Sequence, residues 1–381
     1  MSQPESFSTG NAWYSDNGPE NDVVLSTRVR FARNLANFPF PNTAKKDDCE
    51  RILSLVYDAF AHLENPERYQ CVGIDDIDFS ARQLLTERGI IPEKHYSQYN
   101  LNAIGQDTSK HFTEKSGLVV RTDGRFSCFV NTKDHLHLAS FVAGYDLQSA
   151  WQICRDVDIA LQKKLQFAAS YEFGFLTSSI KDVGSGMKIS VRLILPGLLQ
   201  TKKIKDLVEM LTEKNFSLQP VFGATQVPFG SLGSCYQLST MYAYSGSEED
   251  QLMDFHSVIN YICNEERMAR KDFFEEKPTL VKHLICKSYA VAKFSRFLEC
   301  SETIDIISLM HLGIACNIVS GIDFNELHAL MYRVRVAHLD YLRQNTSLQF
   351  EADVEKEIAL MIGRLRAVLM QEALENVQIF T

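Results

Sequence analysis

The sequence predicts an α+β fold, an antiparallel β-sheet flanked by helices, followed by an all-helical C-terminal domain. Three observations predict it. Residues 117–130 read GLVVRTDGRFSCFV, two β-rich runs around Asp123-Gly124, a dipeptide that accepts the positive φ angles of a tight hairpin. Residues 187–195 alternate strictly, with Met187, Ile189, Val191, Leu193 and Leu195 on one side and Lys188, Ser190 and Arg192 on the other. From about Lys277 strand signals fade and helical periodicity takes over through Ile306, Leu309, Leu327, Leu330, Met331 and Val334.

In chain order, residues 1–21 carry Ser, Gly, Asn and Pro and read as a loose terminus. A helix is predicted over 48–63 and a second from Phe79. Asp146 caps a third, whose apolar positions Trp151, Cys154, Val157, Leu161 and Leu165 recur at helical spacing. Ser247 followed by Glu248, Glu249 and Asp250 starts a helix running to about Lys271, because side-chain oxygens and negative charge suit exposed amides. Asp323 with Glu326 forms a capping box. The change of pattern near 270–280 divides a body, 22–272, from a helical tail, 278–381.

Length and composition narrow the function. The 381 residues suit two or three domains, and 45% hydrophobic with 23% charged residues is ordinary globular composition. A formal charge of −9 argues against nucleic acid as partner, since phosphate backbones want a basic footprint. The start lacks a signal peptide's basic flank and apolar stretch, and no apolar run approaches the roughly 18 residues of a membrane span. A cytoplasmic protein without membrane contact is expected. Nine cysteines, an odd number with no CxxC pair, read as buried reduced thiols.

Three segments could carry chemistry. Arg28 and Arg30 in Ser26-Thr-Arg-Val-Arg30 project from one face of an extended chain, where paired guanidinium forks match polyphosphate oxygens. Asn131-Thr-Lys-Asp-His-Leu-His137 holds Asp134, His135 and His137; no third ligand is spaced for a metal, so none is expected, and a supporting role for Asp134 and His135 is favoured. The Ser/Gly-rich turn 177–188 can bring backbone amides close to an anion.

Together STRVRFARNL at 26–35, the Asn-x-x-Asp-His-Leu frame at 131–136 and FLTSSIKDVGSGMKISV at 175–191 resemble the ATP:guanidino phosphotransferase family. Residues 247–250, 264–270, 311–313 and 336–339 extend the likeness over nearly the whole chain, toward the bacterial branch that phosphorylates arginine side chains of proteins. A small-molecule arginine kinase fits poorly, because the helical tail belongs to the protein-modifying branch. The resemblance implies ATP with Mg²⁺ as cofactor, the nucleotide lying on Ser26, Arg28, Arg30, His137, Lys188, Ser190 and Arg192. It also implies protein clients, a homodimer formed through the tail, a zinc-containing activator protein and an AAA+ unfoldase-protease.

The chain departs from the family where acceptor chemistry is done. The family frame reads Asn-Glu-Glu-Asp-His-Leu-Arg, and its catalytic second Glu falls on Lys133, its final Arg on His137. At about 4 Å and an effective dielectric near 20, an attraction of roughly 4 kcal/mol for a guanidinium becomes a repulsion. The family's loop cysteine falls on Ser179, and Lys188 keeps a phosphate-binding charge without the fork of Arg. A second carboxylate and another arginine fall near Ala224, in a stretch without Asp or Glu between Glu213 and Glu248 and without Arg between Arg192 and Arg267. In the tail, the family's phosphoarginine pocket Arg-Asp-x-x-Arg-Ala is met by Ile362-Gly-Arg-Leu-Arg-Ala367, leaving Arg366 as its remnant. The expectation is a family member with weak or lost catalysis, a pseudokinase or adaptor in protein quality control or stress regulation. The alternative is a working protein arginine kinase that uses compensating residues.

Overall fold

The computed structural model describes residues 12–91, 115–244 and 246–380. Alternating and capped segments form the expected elements. In the body these are β1 (Val24–Arg33), α1 (Lys46–Ala61), β2 (Tyr69–Gly73), α2 (Phe79–Glu87), β3 (Gly117–Arg121), β4 (Phe126–Val130), β5 (Leu136–Ala143), α3 (Leu147–Gln162), the short pair β6 (Ala169–Ser170) and β7 (Gly174–Phe175), β8 (Met187–Ile194), α4 (Pro196–Gln200), α5 (Ile204–Glu213), β9 (Phe216–Pro220), β10 (Cys235–Thr240) and α6 (Glu248–Glu276). The tail holds α7 (Pro278–Phe294), α8 (Cys300–Ala315), β11 (Val319–Ser320), α9 (Phe324–Arg333), α10 (Val336–Asn345), α11 (Ile358–Ala373) and β12 (Gln378–Ile379).

Asp146, Ser247 and Asp323 each cap a helix as the sequence predicts, their side chains accepting from the amides of Ser149, Asp250 and Glu326. Differences are local. The first helix starts two residues earlier than expected, α6 runs on to Glu276, and Lys277 separates it from α7. The tail is helical apart from the two-residue ribbon β11–β12. The loose terminus needs correction: Trp13 and Tyr14 are buried, because Trp13 stacks on Phe141 and Tyr14 on Tyr332. Residues 1–11 of that expectation lie outside the described residues.

One eight-stranded antiparallel sheet runs in the order β2-β3-β4-β5-β1-β8-β10-β9. Its period of two gives it two unlike faces. Val29 and Phe31 of β1 and Met187, Ile189, Val191 and Leu193 of β8 point into a core closed by α1, α3, α5 and α6. On the opposite face a second core joins Leu118, Val120, Phe129 and Phe141 to Trp13, Ile91 and the tail helices. That core covers the β3–β5 side and leaves the charged residues of β1 and β8 beside it.

All nine cysteines are free and six are buried. No described helix is long and apolar enough to cross a membrane.

In the tail, His311 and His328 lie with ring centroids 5.6 Å apart, His311 fully buried with neither ring nitrogen hydrogen-bonded. Burial holds His311 well below the usual imidazole range, and lowers His328 to about 4. Both stay neutral in the folded chain, while the unfolded chain takes protons below about 6.5. Stability is therefore unaffected by this pair above that pH and falls as pH drops toward 4. His328 alone should cost about 2 kcal/mol at pH 5. Urea unfolding midpoints at pH 7.5 and 5.0 check this: the drop should shrink in a His328→Phe variant.

Candidate nucleotide and acceptor site

The β1–β8 register builds a row of charge. Arg30 pairs with Lys188, Arg28 with Ser190 and Ser26 with Arg192, so directly opposed residues share the outer face. Arg28 Nε donates to Ser190 Oγ at 3.2 Å, and Arg28 Nη1 to the Gly89 carbonyl at 3.5 Å. The buried Nε of Arg30 meets no hydrogen-bond partner. Burial works against the charge of Arg30, and Asp182 partly restores it. Arg192 lies at the far end, where its Nη1 donates to Tyr332 Oη at 3.1 Å. An unsatisfied guanidinium nitrogen among like charges suits an anion with several oxygens.

Asp134 clamps the frame beneath the row. Its Oδ1 accepts from Asn34 Nδ2 at 2.7 Å and from the Ser178 amide at 2.6 Å, and its Oδ2 meets His137 Nε2 at 3.0 Å. Burial works to raise its pKa, but His137, the Ser178 amide and Asn34 hold it down to about 2. His135 Nδ1 accepts from the Leu35 amide at 2.9 Å, which leaves Nε2 to donate to the Pro39 carbonyl at 3.0 Å. The neutral tautomer is thereby fixed, and burial lowers its pKa accordingly. Asn131 Nδ2 donates to the carbonyls of Cys49 and Lys115. Asn131, Asp134 and His135 thus hold the scaffold, as their pattern predicts.

The Ser/Gly turn is tied to the same frame. Arg33 forms a two-pronged pair with Asp158, both contacts at 3.0 Å, and its Nη1 donates to the Ser185 carbonyl at 2.8 Å. Gly186 has φ +66°, and a Cβ there would stand 2.5 Å from Arg33 Nη1, so only glycine lets the turn close on β1. Ser178 is bound to Asp134, and Ser179 starts the 3₁₀ turn Ile180–Asp182.

That turn delivers a carboxylate which the sequence reading missed. Asp182 is buried, with Oδ2 3.1 Å from Lys133 Nζ and Oδ1 2.6 Å from Lys188 Nζ. Burial would raise its pKa, and the two ammonium groups more than offset this, so it stays ionised. The expectation of a cleft emptied of anionic side chains is therefore corrected. Position 182 lies three residues after Ser179 and carries an Asp within the Ser/Gly-rich turn. That charge was the available signal.

Other expected positions fall as follows. Lys133 has a half-exposed side chain and lies at Asp182. His137 shares the outer face through its pairing with Ala32, with Nε2 given to Asp134. Ala224 lies exposed, bridged to Ser231. Arg366 is buried, donating to the carbonyls of Val334 and Leu298, both at 2.7 Å, on the wall of a cavity of about 310 Å³. The carboxylates lining that cavity are Glu299 and Glu302, and Ile362 and Gly363 stand at the two lost pocket positions.

Residues 51–269 match the model of the ATP:guanido phosphotransferase C-terminal catalytic domain. The chain belongs to that family. Residues 278–379 match the protein-arginine kinase McsB C-terminal domain, which joins the tail to the protein-arginine kinase branch. Curated relatives agree along nearly the whole length. The protein-arginine kinase of Pelotomaculum thermopropionicum is 28% identical over 342 residues, 90% of this chain and 92% of that one. That of Moorella thermoacetica is 29% identical over 355 residues, 93% and 97% respectively.

Solved structures repeat the fold. The duplicated taurocyamine kinase of Schistosoma mansoni with bound transition-state analogue components superposes with TM-score 0.55 at 19% identity, covering 77% of this chain and 42% of that one. The chain therefore spans about two fifths of that duplicated enzyme. Lombricine kinase gives TM-score 0.52 at 15% identity, covering 70% and 71%.

Because Asp134 satisfies Asn34, Ser178 and His137 at once, Asp134→Ala strands three polar groups in a buried site. Urea unfolding should find it destabilised by about 3 kcal/mol. Lys133→Ala removes only a half-exposed partner and should stay within about 1 kcal/mol of the parent.

Proposed function

We propose that this chain is an ATP-dependent protein kinase with arginine side chains as acceptors, its acceptor carboxylate being Asp182. The activity for which the relatives are named and the retained cationic row support the donor half. The observation that carries the acceptor half is the 3.1 Å contact between Asp182 and Lys133. An ammonium held there marks a place where a guanidinium can be held.

Bound ATP supplies the phosphoryl group. Arg28, Arg30, Lys188 and Arg192 offset charge on its phosphates, with Ser26 and Ser190 between them and His137 at the edge. Mg²⁺, implied by the family likeness, would be held largely by the ATP phosphates and water. Asp182 orients the acceptor guanidinium and takes its proton as one nitrogen bonds to the γ-phosphorus and the bond to the β-bridging oxygen breaks. Electrostatics and positioning supply most of such catalysis. To reach Asp182 the guanidinium must displace Lys133, whose half-exposed side chain can swing into solvent.

A second reading rests on a specific observation. Each oxygen of Asp182 already faces an ammonium, so a chain that never releases Lys133 binds nucleotide without transferring phosphate and serves as an adaptor for protein clients. In either reading a homodimer, a zinc-containing activator, an AAA+ unfoldase-protease and a cytoplasmic setting remain proposals drawn from the family likeness.

Incubation with Mg-ATP and an arginine-rich protein, followed by detection of acid-labile phosphoarginine, separates the readings. The kinase reading expects turnover that falls at least about 100-fold in Asp182→Asn and rises in Lys133→Ala. Absent turnover with a retained ATP-induced rise in melting temperature supports the adaptor reading. Ligand at 100 times its Kd stabilises by about 2.7 kcal/mol, so absence of any rise at millimolar ATP would sink both.

A further inference from the structure

The far end of the cationic row is built partly by the tail. Tyr332 on α9 accepts from Arg192 Nη1, and the Arg192 guanidinium lies 5.7 Å from the Tyr332 ring centroid. The ring is buried and fixed: it stacks on Tyr14 at 4.6 Å and meets Trp13 edge-on at 5.8 Å. A tyrosine so packed has little rotamer freedom to lose when it holds a partner.

A second tail contact reaches the neighbouring arginine. The Glu87 carboxylate, at the end of α2, accepts from the amides of Ala337 and His338 at 3.0 and 3.2 Å and so caps the N-terminus of α10. Arg335 Nη1 donates to the Glu87 carbonyl at 2.5 Å. Two residues on, Gly89 turns with φ +75° and offers its carbonyl to Arg28 Nη1. Arg28 and Arg192 are thus each held by a group that the tail anchors. They enclose a cavity of about 20 Å³ with Ser26, Gly89, Ser190 and Tyr332, room for about one water.

We infer that Tyr332 is a positioning residue for the nucleotide site: it fixes Arg192 toward the polyphosphate of a nucleoside di- or triphosphate, so that nucleotide binding and the seating of α9–α10 on the body are linked. The inference rests on the nucleotide reading above and adds to it a residue outside the matched catalytic domain. Linkage is reciprocal: whatever the tail gives to nucleotide affinity, nucleotide returns to tail seating.

The test uses the full chain and Mg-ATP. Tyr332→Phe removes the hydroxyl and keeps the stacked ring, so folding should survive; the melting temperature without nucleotide checks this. The variant should bind ATP about tenfold more weakly, as expected for the loss of one charge-assisted hydrogen bond. ATP should slow amide exchange in α9–α10 of the parent and fail to do so in the variant. In an Arg192→Ala background, Tyr332→Phe should have no further effect on affinity. Unchanged affinity in Tyr332→Phe, or losses that simply add, would overturn the inference while leaving the nucleotide site standing. Failure of the parent itself to bind ATP would overturn both.

Discussion

The antiparallel pairing of β1 with β8 is the constraint on which the site depends. Side chains alternate across a strand, so one register decides that Val29, Phe31, Ile189 and Val191 enter the core while Arg28, Arg30, Lys188 and Arg192 line the opposite face. A slip of one residue in either strand would drive two cations into an apolar layer, a cost comparable to the net stability of a domain. The apolar face therefore enforces the charged one.

Concentrated positive charge has to be offset or hydrogen-bonded. At one end Asp182 lies between Lys133 and Lys188; at the other, Arg192 donates to the Tyr332 hydroxyl and Arg28 to the Gly89 carbonyl. The Nε of Arg30 in between finds no partner. Asp182 gives one end of the row a cation-accepting carboxylate, and the unsatisfied Arg30 nitrogen suits an anion. A phosphoryl donor and a guanidinium acceptor need such opposed neighbours.

The frame beneath is rigid for a different reason. Asp134 and Arg33 each serve several partners from separate segments, joining β1, the frame at 131–137, α3 and the Ser/Gly turn through buried charge-assisted bonds. Buried charge-assisted networks of this sort leave few alternative arrangements. The position of Asp182 at the end of the turn is inherited from them.

The sequence by itself determined what local chemistry can encode. Alternation in 187–195 set the faces of β8, Asp146, Ser247 and Asp323 set three helix starts, Asp123-Gly124 set a hairpin, and the scaffold roles of Asn131, Asp134 and His135 followed from their frame. The meeting of Lys133 with Asp182, 49 residues apart, and of Arg192 with Tyr332, 140 apart, was decided only by the tertiary structure. A charge has no meaning for catalysis until its neighbours and its exposure to water are known, and those depend on distances that no periodicity records. The same holds for Trp13 and Tyr14: a terminus poor in pattern became ordered because two aromatic rings found a tail helix and a strand to stack upon.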